Sequence, residues 1–532
     1  MGFLVDHPAT AGATWPSIAV GMFAAFGGVL YGYDTGTISG ILAMKYWLKT
    51  FSTGHTNQDG SPAITSGQES LIVSILSVGT FIGSLISPLL SDRIGRRLAL
   101  VIVTWVFNLG VALQTAATSQ DLFIAGRFFA GLGVGLISAI IPLYQSETAP
   151  KWIRGLIVGS YQLAITIGLL LANVVNNATH KNDDTSSYRV PIGVQFAWSL
   201  ILFGGMLFLP ETPRFLIKQG RHEEASQSLC RLRRLDPDHE EIQAELAEIR
   251  ANHEYEMSLI SESSMLDAFK PPMLRRLITG VGVQCFQQLS GINFIFYYGT
   301  KFFENSGIKN PFVISMITTS INVVSTLPGI WATDKYGRRN LLLIGAAGMA
   351  ASQLIVALTG TLSTDQTDTG VIIVKNLAAQ RAAIAFICIY IFFFASTWGP
   401  LAWVVCSEIY PLRIRAISVA TTTASNWAVN WALSYSTPYL VNWGPGNANL
   451  QSKIFFIWFG CCFLGAAFVY FFVYETKNLT LEEVDELYSQ VPHAWKSAGW
   501  KPTLRFADTK IPDHDKPQQM GEHVETATKV EV

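Results

Sequence analysis

Asp92–Arg97 reads DRIGRR, and 242 residues later Asp334–Arg339 reads DKYGRR. Two further signatures return in the same order. SETAPKWIRG (Ser146–Gly155) is echoed by SEIYPLRIRA (Ser407–Ala416) at an offset of 261, and PETPR (Pro210–Arg214) by YETK (Tyr474–Lys477) at 264. Three matched segments at nearly constant offset imply a duplicated chain of two parallel halves, with any solute path at their interface near the midplane.

Each of these segments closes an apolar run. A bilayer-spanning helix needs about 20 mostly apolar residues. Twelve such runs occur, at 17–43, 68–90, 98–117, 122–144, 155–175 and 192–210, then at 277–303, 312–332, 341–361, 381–407, 416–440 and 453–473. The expected fold is therefore an all-α membrane protein with twelve transmembrane helices in two six-helix parallel-repeat bundles. Its segments are an N-terminus (1–16), a first bundle (17–210), a helical linker (211–276), a second bundle (277–473) and a tail (474–532). The first 15 residues carry no Lys or Arg, so no cleavable signal peptide is expected.

Composition agrees. Of 532 residues only 14% are charged, against about 25% in soluble domains, and mean hydropathy is +0.32. The 32 Phe and 14 Trp oppose disorder, and 37 Lys+Arg against 38 Asp+Glu leave no basic footprint for nucleic acid. Six Cys show neither metal-ligand spacing nor a paired framework, so they read as small buried hydrophobes and no metal or cofactor is expected.

Basic residues give the direction. Four short even-numbered loops hold ten Lys and Arg, whereas the longer odd-numbered loops together with the span ends beside them hold nine, and the linker adds ten on the even side. By the positive-inside rule both termini face the cytoplasm. Asp236-Pro237 reads as a helix start, and Ile242, Leu246 and Ile249 form a stripe expected to lie on the cytoplasmic ends of the bundle. In the tail, Thr480 and Glu483 form a capping box before a short acidic helix, with polar, disordered chain expected beyond about 490. The sequon at Asn177 falls outside and is open to glycosylation, while the one at Asn478 falls inside.

Two charged residues lie well inside spans. Asp34 is roughly 13 Å from the outer end of span 1, and Arg127 roughly 8 Å from that of span 4, at about 1.5 Å per residue. A charge there is costly unless paired or facing water. They read either as a structural ion pair or as a proton switch, in which a screened carboxylate beside Arg alternates between paired and protonated forms.

The loop signatures carry a second arrangement. Gly95 and Gly337 permit tight turns, and Arg96, Arg97, Arg338 and Arg339 offer planar forks for carboxylates, with Arg154, Arg214 and Arg415 nearby. The acids at this face are Asp92, Glu147, Glu211, Asp334, Glu408 and Glu475. The expectation is a cytoplasmic charge network that closes an inner gate and breaks when the halves rock apart. Plain topology signals would explain the Arg but not the matched acids.

Polar side chains at mid-span are the candidate solute contacts: Gln162, Gln287, Gln288, Asn293, Asn322 and Asn426, with aromatic faces from Trp403 and Trp427. Amides donate and accept at once, and an aromatic face suits C–H surfaces, so a neutral polyhydroxylated solute is the best match. A single amide is often interhelical glue. Six at comparable depth fit that reading less well.

Seven segments in order, GYDTGTISG (Gly32–Gly40), DRIGRR, GRFFAGLGVG (Gly126–Gly135), PETPRF, QQLSGINFIFYYG (Gln287–Gly299), DKYGRR and ETKNLTLEEVDELY (Glu475–Tyr488), resemble the sugar porter family of the major facilitator superfamily. The likeness runs from about 17 to 488 and is nearest to fungal hexose transporters. It implies the major facilitator fold, alternating access, and a monosaccharide held mainly by the second bundle through Gln287, Gln288, Asn293, Asn322, Gln162, Trp403 and Asn426. Asp34 and Arg127 match the pair assigned to proton coupling in sugar/H⁺ symporters. Yeast facilitators of the family keep this Asp too, so symport and facilitated diffusion both stay open. Tyr474 stands where many members carry Pro, and Asn478 where Gly is usual.

The resulting expectation is a plasma-membrane, multi-pass monosaccharide transporter, glucose first, with protons and the lipid bilayer as its other partners. A transporter-like sugar sensor is the alternative of another class, disfavoured by the roughly 45 residues after the last motif, since sensors of this kind carry long tails. No activated nucleophile, metal cluster or phosphate loop points to an enzyme. Oligomeric state is not legible.

Overall fold

The computed structural model describes residues 15–56, 60–150, 153–260, 269–271, 273–305, 310–366, 372–410, 415–444, 446–477, 479 and 481–501. All twelve spans are helices. The first six are Trp15–Ala25 continued by Gly27–Ile41, Ser66–Ile94, Arg96–Ala116, Gln120–Thr148, Arg154–Thr179 and Ser186–Phe208. The last six are Met273–Leu289 continued by Ile292–Asn305, Pro311–Tyr336, Arg338–Ser363, Leu377–Phe393 continued through a π-turn to Gly399–Glu408, Arg415–Val441 and Ile454–Phe472. Among the described residues, ten are long and apolar enough to cross a membrane by composition alone. The other two, spans 7 and 11, carry most of the candidate amides.

Several helices outrun their apolar cores because polar residues extend them. Span 2 begins at a capping box: Thr65 Oγ1 accepts from the Gln68 N–H at 3.2 Å, and Gln68 Oε1 accepts from the Thr65 N–H at 3.0 Å. The loop after span 1 holds a short helix, Lys45–Phe51, whose Trp47 and Phe51 are buried against Phe123 at the start of span 4. Between spans 9 and 10, Thr364–Gln366 pairs antiparallel with Ile372–Val374.

Span 1 lies on span 5 with almost no side chain between them. A Cβ at Gly32 would sit 1.9 Å from the Ile165 carbonyl oxygen, and Gly28 is similarly tight on Tyr161. This close approach fixes the rotation of span 1 and hence the direction of Asp34. Span 7 breaks at Gly291, whose φ of +83° suits glycine. Trp458 of span 12 fills the notch, 2.5 Å from where a Cβ would be. Span 10 bends at Phe394–Trp398, just before Gly399-Pro400, where the ring removes a backbone donor.

Spans 2 and 4, 3 and 4, and 1 and 5 pack most closely in the first half, and 9 with 10 and 12 in the second. The halves meet through span 2 on span 11, span 5 on span 8, and span 1 on the second part of span 7. The face holding the repeated loops is called the terminal face below, and the opposite one the distal face.

The linker forms Pro213–Lys218, His222–Arg233 and Glu240–Ile260. Its last helix starts three residues later than expected: Asp236-Pro237 makes a turn, with the Asp236 carbonyl accepting from the His239 N–H at 3.0 Å. Ile242 and Leu246 are buried, and Ile249 packs beside them, on Phe215, Leu216, Ile217, Ala225 and Leu229. The stripe thus completes a small core of the linker's own. Arg233 ties it to the bundle, donating to Ser17 Oγ at 2.7 Å and to both carboxylate oxygens of Glu245.

The tail helix Leu481–Gln490 is present; Thr480 of the expected capping box lies outside the described residues, as do 1–14 and 502–532. The expected disorder beyond 490 does not begin there. Residues Ala494–Gly499 form a 3₁₀ turn with Ala494 and Ser497 buried. Tyr474 is the anchor: its hydroxyl donates to the Val491 carbonyl at 2.9 Å and its ring lies 4.4 Å from that of Tyr488. Arg276 at the foot of span 7 pairs with Asp485.

Candidate functional site

At the terminal face the repeat is visible atom by atom. Gly95 and Gly337, at φ of +95° and +86°, turn the chain directly into spans 3 and 9. Glu211 accepts from the backbone N–H of Arg96 and Arg97 at 3.1 and 3.0 Å. Glu475 does the same for Arg338 and Arg339, at 2.8 and 3.1 Å. Each carboxylate caps a helix N-terminus, where free N–H groups and the dipole favour negative charge. Burial pushes the Glu211 carboxyl up from its ordinary range, opposed by the backbone amides of Thr212 and Arg97 and the charge of Arg96.

The Arg side chains divide the work. Arg96 holds Glu147 and Asp92, each at 3.1 Å, and Arg338 grips Glu408 fork to fork at 2.8 and 3.2 Å. Arg97 donates to the carbonyls of Met206 and Leu207 at the end of span 6, and Arg339 to that of Tyr470 in span 12. Arg415 donates to the Tyr410 carbonyl at 3.3 Å. Arg214 is half-buried on the helix after span 6, outside the ion pairs described. The side chains of Arg154 and Asp334 lie outside the described residues.

This differs from the expected gate in one respect: the ion pairs described in this layer join residues of the same half. Helix ends alternate around each bundle, so the carboxylate within reach of each Arg is on a neighbouring helix of its own six.

In the interior of the first half, Arg127 Nη1 donates to both Asp34 oxygens at 3.2 Å, and neither residue is more than 1% exposed. Arg127 Nε reaches the Ile72 carbonyl at 3.4 Å, and Nη2 has no hydrogen-bond partner. Gln195 of span 6 lies close enough to the Asp34 carboxylate to favour its charge, a neighbour that composition could not suggest.

The amides of spans 7 and 11 form one network. Gln288 Nε2 donates to Asn426 Oδ1 at 2.8 Å, and Gln288 Oε1 accepts from Asn293 and, at 3.2 Å, from Asn430. Asn426 Nδ2 donates to Gln284 Oε1 at 2.7 Å and Gln287 Oε1 at 2.9 Å. Gln287 donates to the Trp398 and Gly399 carbonyls at 3.1 Å, beside the bend of span 10. Gln162 of span 5 lies across from that bend, its amide nitrogen 3.4 Å from a Cβ built on Gly399. Asn322 is buried in span 8 and its Oδ1 has no partner. Trp403 is half-buried one turn beyond Gly399; Trp427 is fully buried, edge-on to Tyr31 at 5.3 Å.

Two members of this network were not anticipated, Gln284 and Asn430. Both lie four residues from an anticipated one, Gln288 and Asn426, on the same helix face, so helical spacing carried the signal. Tyr297 was also missed. Its hydroxyl donates to Asn430 Oδ1 at 3.4 Å, and it lies close enough to Arg127 and Asp34 to feel both charges. A small cavity borders Gln288, Asn293, Tyr297, Ser434 and Trp458. A buried network of amides that bond mainly to one another can exchange those bonds for hydroxyls one at a time, keeping each group satisfied.

Comparison with known proteins gives the chain's family and fold. The family model described as "Sugar (and other) transporter" covers residues 20–488. The chain is 63% identical to the major facilitator-type transporter ecdD of Aspergillus rugulosus, over 94% of this chain and 93% of that one. It is 48% identical to the probable glucose transporter rco-3 of Neurospora crassa (96% and 86%), and 42% identical to the high glucose sensor RGT2 of Saccharomyces cerevisiae (94% and 64%). Among solved structures it resembles the proton:xylose symporter XylE bound to 6-bromo-6-deoxy-D-glucose, with 26% identity, a TM-score of 0.75, and coverage of 89% of this chain and 99% of that one.

Proposed function

Because the chain belongs to the sugar transporter family of the major facilitator superfamily, we propose that it carries a monosaccharide, glucose first, across the plasma membrane by alternating access. In this reading the terminal face and both termini are cytoplasmic, and transport is coupled to protons through Asp34 and Arg127. One observation carries the coupling. Tyr297 stands between the buried Asp34–Arg127 pair of the first half and the amide network of the second, in contact with Asn430. When Asp34 is ionised, Arg127 holds it; when it is protonated, the guanidinium is released toward other acceptors, such as the Ile72 carbonyl it already reaches. Sugar binding rearranges the amides at the far side of the same phenol, so the two events act on one side chain, which faces the first half from span 7. Gln287, Gln288, Asn293, Asn322, Gln162, Trp403 and Asn426 are proposed to hold the sugar, joined by Gln284 and Asn430.

The test is sugar-induced alkalinisation of the medium by cells lacking their own hexose carriers and expressing this chain, with labelled glucose uptake measured in parallel. Wild type is expected to alkalinise and to accumulate sugar above equilibrium. Asp34→Asn is expected to lose both while keeping sugar exchange. Saturable uptake without proton movement in the wild type would make the protein a facilitator and Asp34–Arg127 a structural pair. The likeness to RGT2 supports a second reading, a sugar sensor; normal surface abundance with no saturable uptake of any hexose would favour it.

A further inference from the structure

The ion pairs described at the terminal face stay within one half or the other, so the halves can part there without breaking those pairs. At the distal face the opposite holds. Lys301 Nζ, on the second part of span 7, lies 2.6 Å from Glu69 Oε2 at the start of span 2. The carboxylate side chain is only 2% exposed, and the ammonium side chain 21%. Asn442 at the end of span 11 donates to the same Oε2 at 3.0 Å and to Ser66 Oγ at 3.3 Å, and Asn447 donates to Ser66 Oγ at 3.1 Å. Beside Lys301, Thr300 Oγ1 bonds Ser39 of span 1 at 3.1 Å and Ser315 of span 8 at 2.8 Å.

We infer that Glu69 and Lys301 form a charge latch across the distal face that positions the second part of span 7 over the amide network. They would therefore be positioning residues of the transport step, a role that rests on the transporter reading above. Three features fit a latch rather than passive glue. Gly291 divides span 7, so Ile292–Asn305 is a separate helix joined to the rest through a non-helical glycine break. Lys301 lies one turn from Tyr297, the phenol that touches Asn430, so displacing Lys301 displaces a wall of the site. Glu304, three residues further along, feels the charges of Lys301 and Lys45. It is a partner for Lys301 on its own helix once Glu69 has moved away, at the spacing helices favour. Glu69 has no such substitute on span 2, where the residues within a turn are uncharged. Opening therefore exchanges a buried pair for a solvated carboxylate and a local pair, which keeps both states accessible.

The test uses the full chain with Thr437→Cys, a residue bordering the cavity from span 11, labelled by a bulky polar thiol reagent in detergent; the same chain without that change is the blank for native cysteines. Glu69→Gln and Lys301→Met are each expected to raise the labelling rate about tenfold, since removing one partner strands the other's charge only in the closed form. The double variant Glu69→Gln/Lys301→Met is expected to be no more open than either single one, and Glu69→Lys/Lys301→Glu to return toward wild type. In proteoliposomes both single variants are expected to lower kcat while KM for external glucose stays level or falls. Labelling unchanged in both single variants, or effects that simply add in the double one, would overturn the latch. A wild type that labels as expected yet moves no sugar would overturn the transporter reading and leave the latch standing.

Discussion

Gln288 bonds three other amides at once, Asn426, Asn293 and Asn430. Gln288→Ala is expected to raise KM for glucose about tenfold or more with unchanged surface abundance, since each lost hydrogen bond to a hydroxyl is worth about 1 kcal/mol and its amide partners must re-pair. Unchanged saturation kinetics would remove it from the site. The residue types were readable in the chain because amides and charges are conspicuous in apolar runs. Of their partners, similar depth suggested only Arg127 for Asp34; the pairings among the amides were not readable. Whether Asp34 reaches Arg127, 93 positions away, depends on how spans 1 and 4 are rotated. That rotation is set by contacts such as Gly32 on Ile165, which no property of Asp34 encodes.

Among the elements, the helices of the linker and tail show how local pattern and packing share the outcome. The Ile242–Leu246–Ile249 stripe requires an apolar partner, but the partner turned out to be the linker's own Phe215 and Leu229 as well as the adjoining turns. In the tail, Tyr474 replaces a stiff ring with a hydroxyl that reaches Val491 and stacks by Tyr488, and so holds residues 481–501 against span 7. Tyr474→Phe is expected to speed amide hydrogen exchange across Leu481–Gly499 several-fold while leaving the spans protected; equal protection in the two proteins would count against the anchor. Polarity alone suggested disorder beyond 490, because composition does not register a docking site supplied by another helix.

For the molecule as a whole, the duplicated loops were expected to pull the halves together, whereas the pairs described tie helices within each half. Glu147 and Glu408 then belong to independent clusters. Glu147→Gln and Glu408→Gln should each lower the unfolding free energy by about 1–3 kcal/mol, and the double variant by their sum to within about 0.5 kcal/mol. A coupling above about 1 kcal/mol in thermal or denaturant unfolding would show that the charge layer spans the interface after all.

Twelve apolar runs, a repeat at nearly constant offset, and polar side chains at mid-depth were legible without coordinates. Hydropathy, period and charge are additive along the chain, and the bilayer imposes helices on anything that crosses it. Which carboxylate each Arg holds, where span 7 breaks against Trp458, and the Glu69–Lys301 bridge were settled by folding alone. These depend on pairs of residues tens to hundreds of positions apart, and their distance is a property of packed helices rather than of either residue.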